Sequence, residues 1–348
     1  MRGCTGLGNI GNTCYLNSCI QALSHTYELD LLLNTPNVRR YIKSSSSGTV
    51  LREWNDLRTL MWSKNGTVVP NRFVATIQRH SQQQKNGDFS GFAQNDVSEF
   101  IVFLVDIFDN ALSRRVTMNI NGTTKNDTDR TAVVCYEMMR RMYETKYSEI
   151  TKLFNGIQVT QIIGIDSPNK NITLSAAPEP YFIINLSLPI GPDPMVRCRK
   201  CSIYDCFDYY TQDEVLDGDN RWQNDTTGKL ESVVKRTRFW SFPDIMVVSI
   251  GRTDVYGRKN NAIVSVPENM VLDMGKYTCG YNRSNNLYEL YAVCNHMGGP
   301  QGGHYTANVM VGNNRWFEFN DTRVSEINHR SVVTSAAYTM FWRRSRKK

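Results

Sequence analysis

No stretch of this 348-residue sequence comes near the roughly 18 to 20 consecutive apolar residues that a membrane span requires. The opening residues Met1-Arg2-Gly3-Cys4-Thr5-Gly6 lack the apolar run of a secretory signal. Nucleic-acid signatures are missing too, with neither a basic stripe along one helix face nor an aromatic-glycine RNA motif. A disulfide framework is equally absent, because nine cysteines are an odd number and lie scattered. Internal repeats and long linkers do not occur. With 41% apolar and 21% charged residues, wholesale disorder is excluded. What remains is a soluble protein of a reducing compartment, with neither membrane nor nucleic acid as partner. N-x-S/T sequons such as Asn121-Gly122-Thr123 then count as chance products of an Asn-rich chain, since glycosylation needs secretion. The net charge of +7 is partly the tail Arg343-Arg344-Ser345-Arg346-Lys347-Lys348. A solvated terminus is the expected reading of that tail and a nuclear address the alternative. The expected location is therefore cytoplasmic, with the nucleus left open.

Periodicity divides the chain. Leu16, Cys19, Ile20 and Leu23 recur at three- and four-residue spacing, as do Phe100, Phe103, Leu104, Ile107 and Phe108, so the first 110 residues read as helical. From about Ile157 onward, short runs of branched and aromatic residues take over: Pro180 to Leu188, Asp244 to Ile250, Tyr288 to Cys294, His304 to Val311, Trp316 to Phe319 and Tyr338 to Trp342. Helices first and antiparallel strands later predict an α+β enzyme with a cleft where the halves meet.

Two segments carry chemistry. In Gly6-Leu7-Gly8-Asn9-Ile10-Gly11-Asn12-Thr13-Cys14-Tyr15-Leu16, a turn-prone stretch leads into a helix with Cys14 at the junction. The positive end of the helix dipole favours thiolate there, as a nucleophile requires. Alternatively Cys14 is one more small buried residue. The second segment is Asn295-His296-Met297-Gly298-Gly299-Pro300-Gln301-Gly302-Gly303-His304-Tyr305-Thr306-Ala307, whose glycines admit a close backbone approach. A hairpin centred on Asn313 pairs Thr306 with Asn320. His304 and Thr306 share a face, so Asn320 lies diagonal to His304 on it, and Asp321 points away unless a bulge intervenes. A Cys–His–Asn triad then needs only the helix end docked alongside. The Asn320 carbonyl is expected to accept the His304 Nδ1–H and leave Nε2 toward Cys14.

These segments resemble the cysteine and histidine boxes of the ubiquitin-specific proteases, papain-like cysteine deubiquitinases. Gln94-Asn95-Asp96-Val97-Ser98-Glu99-Phe100 is similar to the family's Gln-Gln-Asp-Ala-x-Glu-Phe signature, with Asn95 a mild change. Glu179 to Pro189 and Ala337 to Arg344 match further segments in family order. The resemblance implies a single catalytic domain over 1–348 of right-hand architecture: a helical thumb (about 6–150), fingers (about 157–245) and a palm (mainly 246–344). It also implies roles. Cys14 is the nucleophile, His304 the general base, Asn320 its orienting partner and Asn9 an oxyanion donor, although Gly-Asn is also turn chemistry. Asp96 and Glu99 match positions that engage ubiquitin's basic C-terminal tail, or are merely solvated helix-start charges. Tyr305 and the Met297 to Gly303 loop line the tail channel, and His296 matches a non-catalytic histidine.

The departures concern the fingers. The family often holds one zinc there in two Cys-x-x-Cys pairs, whereas this chain has Gly164 to Asn169 and Trp222 to Thr227 in those places. Cys198-Arg199-Lys200-Cys201 is a lone pair, half a zinc site. Metal-free fingers and no cofactor are therefore expected. The partners implied are ubiquitin and ubiquitinated proteins, and the chain is expected to be a monomer with no accompanying targeting module. Two rival readings are a non-catalytic ubiquitin-binding scaffold and a protease for a ubiquitin-like modifier.

Overall fold

Eleven consecutive residues, Cys14–Ser24, form a helix in which every side chain is buried. A helix that is covered all round belongs in the middle of a fold. Its polar members are used internally: Gln21 Nε2 donates to Thr5 O at 2.8 Å, and Ser18 and Ser24 bond carbonyls one turn back. Around it pack the helices Ser46–Ser63, Asn71–Gln82 and Val97–Leu112. The Val97–Leu112 helix carries the Phe100, Leu104, Ile107, Phe108 stripe that the spacing predicts, and all four are buried. The computed structural model describes residues 2–84, 87–91, 93–166, 170–190, 197–254, 256–299, 302–312 and 314–345. The Asn313 turn centre, Pro300-Gln301 of the glycine loop, Ser167 to Asn169, Pro194 and the tail 346–348 lie outside the described residues.

The helical layer rests on an eight-stranded sheet. Its strands run in the order Arg323–Ile327, Arg315–Asn320, Gly302–Val311, Leu287–Gly299, Ala337–Arg344, Ile245–Gly251 and Ile183–Ser187, with Val271–Asp273 added on Leu287–Gly299. All neighbours are antiparallel except the last pair of the path, which is parallel. Alternation sorts the side chains between two cores. Ile245, Val247 and Phe341 join the helical side. Met246, Val248, Met340 and Trp342 face the opposite core with Ile203, Cys206 and Phe207 of the helix Ile203–Tyr210.

A second sheet of four strands, Thr173–Tyr181, Gly156–Gly164, Val233–Ser241 and Glu214–Leu216, projects from this body. Its own core is thin, with only Ala132, Cys135, Ile157, Val159 and Trp240 buried together. The run Pro180 to Leu188 is not one strand, as its composition suggests. The chain bends at Phe182 and passes from the smaller sheet to the larger one. The Phe182 ring packs edge-on against Phe154 at 5.7 Å, which anchors the bend.

Candidate active site

Cys14 is the first residue of its helix, and the loop before it is built around Asn9. The Asn9 Oδ1 accepts from Gly11 N (3.1 Å), Thr13 N (3.1 Å) and Thr13 Oγ1 (3.2 Å). Gly11 and Asn12 both adopt positive φ, 112° and 54°, a conformation open to glycine and tolerated by asparagine. The Thr13 side chain therefore serves the loop and does not cap the helix.

An interior strand of the larger sheet supplies the histidine. Strands Gly302–Val311 and Arg315–Asn320 pair Ala307 with Phe319 and Val309 with Phe317. One step further, that register sets Thr306 opposite Asn320, as the sequence predicts. His304 Nε2 lies 2.8 Å from Asn320 Oδ1. The pairing partner is as expected, but the ring nitrogen is the other one. Asn320 is diagonal to His304 on the neighbouring strand, and only the far nitrogen of the imidazole spans that distance. Because a carbonyl oxygen can only accept, Nε2 carries the proton and Nδ1 keeps the lone pair. The backbone N–H of Tyr305, next in sequence to His304, is near enough to the Cys14 sulfur to favour its thiolate. Among the described residues no hydrogen bond joins Cys14 to His304 directly.

The thiol is not the ready thiolate that a helix N-terminus suggests. Burial pushes Cys14 up from its ordinary value and the Asp321 charge adds to this, against the N–H groups of Tyr305, Tyr15 and Cys14 itself. At 2% exposure, desolvation outweighs the dipole.

Asp321 turns away from His304, as strand parity predicts. It has φ 49°, its carbonyl accepts from Leu7 N at 2.8 Å, and its carboxylate faces the cysteine loop. There Asn9 Nδ2 donates to Oδ2 at 3.0 Å and Asn17 Nδ2 to Oδ1 at 2.7 Å. Asn9 is thus gripped at both ends, with its exposed amide nitrogen still holding one N–H to give.

The tail-channel residues separate. Asp96 caps the helix Val97–Leu112 by accepting from Ser98 N (2.7 Å) and Glu99 N (3.1 Å), while its other oxygen accepts from Tyr338 OH (2.6 Å). Glu99 is exposed and makes no ion pair among the described residues. Burial raises its carboxyl pKa, with Asp96 and Asp88 adding to the effect. Tyr305 is buried and stacks on His296, ring centroids 4.6 Å apart. His296 is engaged elsewhere, its Nδ1 receiving Lys259 Nζ at 3.0 Å. Burial lowers its pKa and the Lys259 charge lowers it further.

Sequence reasoning does not reach three neighbours. Asn17 holds Asp321. Gln94 pairs with Gly303 twice, Nε2 to Gly303 O (2.6 Å) and Oε1 from Gly303 N (2.8 Å). Lys259 also donates to the carbonyls of His296 (2.8 Å) and Gly298 (3.2 Å). Gln94 sits in a visible motif, whereas Lys259 has no local signal. Beside them lies a cavity of about 180 Å³ lined by Asp96, Arg252, Lys259, His296, Tyr305 and Tyr338. Among the described residues no group of three or more His, Cys, Asp or Glu is placed to hold a metal ion.

Comparison with known proteins agrees with this geometry. The family model described as ubiquitin carboxyl-terminal hydrolase matches residues 5–342. The chain is 32% identical to ubiquitin carboxyl-terminal hydrolase Usp2 of Drosophila melanogaster, over 99% of this chain and 35% of that protein. It is 31% identical to ubiquitin carboxyl-terminal hydrolase 2 of Homo sapiens, over 98% of this chain and 55% of that one. The chain thus spans between about a third and a half of the length of these relatives. Among solved structures, the SAGA Ubp8/Sgf11/Sus1/Sgf73 DUB module bound to ubiquitin aldehyde shares the fold, with a TM-score of 0.73 at 19% identity, covering 100% of this chain and 70% of that one. The pairing of a helix-borne cysteine with a sheet-borne histidine is the α+β, papain-like arrangement of that fold, and the chain belongs to the ubiquitin carboxyl-terminal hydrolase family.

Proposed function

We propose that this chain is a thiol-dependent deubiquitinase that hydrolyses the peptide or isopeptide bond after the C-terminal glycine of ubiquitin. The observation that carries the reading is the His304 Nε2–Asn320 bond at 2.8 Å, which leaves Nδ1 free next to Tyr305, the residue whose N–H favours charge on the Cys14 sulfur. Because burial favours the thiol form of Cys14, the first step is removal of its proton by His304 Nδ1. The thiolate attacks the glycine carbonyl, and the oxyanion accepts from the Cys14 N–H and the remaining Asn9 Nδ2 hydrogen. The imidazolium then protonates the departing lysine amine. His304 next takes a proton from water, whose oxygen attacks the acyl carbon and releases Cys14. Asn320 fixes the tautomer throughout.

Substrate shape supports the same reading. A tail ending in Leu-Arg-Gly-Gly needs a passage without side chains, and Gly303 sits where a Cβ would lie 2.2 Å from Met297 O. Asp96 is occupied as a cap, so Glu99 is the carboxylate left to meet the tail arginine. We also propose that the chain works as a monomer in a reducing compartment, cytoplasmic or nuclear.

The test is reaction with ubiquitin bearing a C-terminal electrophile, followed by peptide mapping. One adduct at Cys14 is expected, and it should disappear in Cys14→Ala. A folded sample that never labels would overturn the reading in favour of a binding scaffold. Labelling outcompeted by a ubiquitin-like modifier, and not by ubiquitin, would overturn the substrate assignment.

A further inference from the structure

Away from the cleft, three cysteines cluster that the proposed reaction does not use. Cys201 lies in the short strand Lys200–Ser202, paired in parallel with Ile263–Ser265. Cys206 lies in the helix Ile203–Tyr210, five residues on. The turn between them is fixed by a capping box: Ser202 Oγ accepts from Asp205 N at 3.0 Å and Asp205 Oδ2 from Ser202 N at 2.7 Å. This turn brings the two sulfurs to 3.7 Å, the distance of two thiols in contact. Closing them to a disulfide bond of about 2.05 Å needs side-chain rotation with little backbone movement.

The surroundings divide the two thiols, raising Cys201 through its hydrogen bond to Cys206 and its burial and lowering Cys206. The Arg252 guanidinium is 2% exposed and donates only to carbonyls, Nε to Ala337 O (2.8 Å) and Nη1 to Asn260 O (3.1 Å) and Ala262 O (2.8 Å). It makes no ion pair with a carboxylate among the described residues, and its charge reaches both Cys201 and Cys206. The Cys206 thiol is held below its ordinary value, first by the hydrogen bond from Cys201, while burial opposes the shift. Cys206 is buried, whereas Cys201 and Cys198 are half-exposed and offer an entrance.

We propose that Cys201 and Cys206 form a dithiol that oxidises reversibly to a disulfide, a modification site separate from the catalytic thiol. The oxidant class is a small-molecule disulfide such as oxidised glutathione. The Cys201 sulfur gives its proton to solvent, attacks the external disulfide and expels one glutathione thiolate, which takes up a proton, leaving a mixed disulfide at Cys201. Cys206 then attacks Cys201 Sγ, expels the second thiolate and loses its proton. Two electrons and two protons leave the pair, and one external disulfide becomes two thiols. In a reducing compartment such a bond is transient, as expected of a redox-responsive site.

The experiment treats the whole chain with oxidised glutathione, quenches with an alkylating agent and maps tryptic peptides. Cys201 and Cys206 fall in one peptide, 201–221, because no Lys or Arg separates Lys200 from Arg221. The expected result is that peptide unalkylated at both positions and lighter by two hydrogens, restored by a dithiol reductant. It should persist in Cys198→Ser and Cys14→Ser and vanish in Cys201→Ser. The wild-type mapping stands alone should a serine variant fail to fold. A stable mixed disulfide without closure would overturn the proposal, as would a Cys198–Cys201 link or two free thiols throughout.

Discussion

Replacing Asp321 by alanine should slow turnover and yet make Cys14 easier to alkylate. The carboxylate holds Asn9 Nδ2 at 3.0 Å and Asn17 Nδ2 at 2.7 Å. Hydrogen bonds to an ionised group are worth about 1.5–3 kcal/mol. Asn9 is exposed, and its Oδ1 stays held by Gly11 and Thr13. The loss of positioning is therefore smaller, about 1–2 kcal/mol, or roughly 5- to 30-fold in kcat. Asn9→Ala removes the donor itself and should cost about 10²–10³-fold. Because Asp321 acts through Asn9, its removal in an Asn9→Ala background should cost less than about twofold. The second readout runs the opposite way. Asp321 is among the influences that push the Cys14 thiol up, so its loss shifts the pH profile of iodoacetamide labelling at Cys14 to lower pH. A fluorogenic ubiquitin substrate and peptide-mapped alkylation measure the two. Additive losses in the double variant, or an unmoved labelling profile, would refute the reasoning. Asn320→Ala acts on His304 directly and should cost on the order of ten- to a thousandfold. Should Asp321→Ala prove the more damaging, the two residues exchange roles.

Gly303→Ala would place a Cβ 2.2 Å from Met297 O and 2.5 Å from His296 Nε2. The strand must shift, and a displacement near 1 Å should cost on the order of a hundredfold in kcat/KM; a folded variant of near-normal turnover would contradict this. His25 is buried with its pKa lowered to about 4, chiefly by burial. The unfolded chain then binds the extra proton first, so its stabilising contribution is complete above about pH 6.5 and falls by about 3 kcal/mol as pH drops toward 4. Urea titrations at pH 7, 5 and 4 should show that slope in wild type, and a slope unchanged in His25→Phe would assign it elsewhere. The smaller sheet, which contributes three residues to a small core cluster, should exchange its amide hydrogens faster than Leu287–Gly299 of the larger sheet; equal protection would show that it is clamped by something else.

The parts of the site that were legible in the sequence are those set by local periodicity. Alternation along His304 to Val311 and Trp316 to Phe319, with a turn between, is enough to face Asn320 toward His304 and Asp321 away. The ladder Ala307 to Phe319 and Val309 to Phe317 keeps that register. Which imidazole nitrogen meets Asn320 was not legible, because it depends on how far a diagonal partner lies across two twisted strands. The charge state of Cys14 was hidden for a similar reason. The helix end is visible in Thr13-Cys14-Tyr15, but the burial that overrides it comes from segments far along the chain. The break at Phe182 was invisible as well, since Pro180 to Leu188 reads as one unbroken run of aromatic and branched residues while its two halves join different sheets.

A loop can be closed by hydrogen bonds that leave no motif in the sequence. Where the family often places its second cysteine pair, the hairpin Trp222–Gln223 and Leu230–Glu231 closes on Asn224. Asn224 Oδ1 accepts from Thr226 N (2.9 Å) and Thr227 N (3.3 Å), and Nδ2 donates to Glu231 Oε1 (2.8 Å). Its backbone closes the loop twice more, N to Lys229 O (2.9 Å) and O from Gly228 N (2.7 Å). A metal ties two distant loops into one unit, whereas these bonds span only residues 224–231 and secure a single hairpin. The second loop, near Gly164 to Asp166, must then be held by its own strands. There Gly164 N donates to Ile172 O at 3.0 Å and Asn171 N to Gly164 O at 2.8 Å, with Asn171 at φ 64°. Among the described residues, each of these loops is closed by hydrogen bonds of its own.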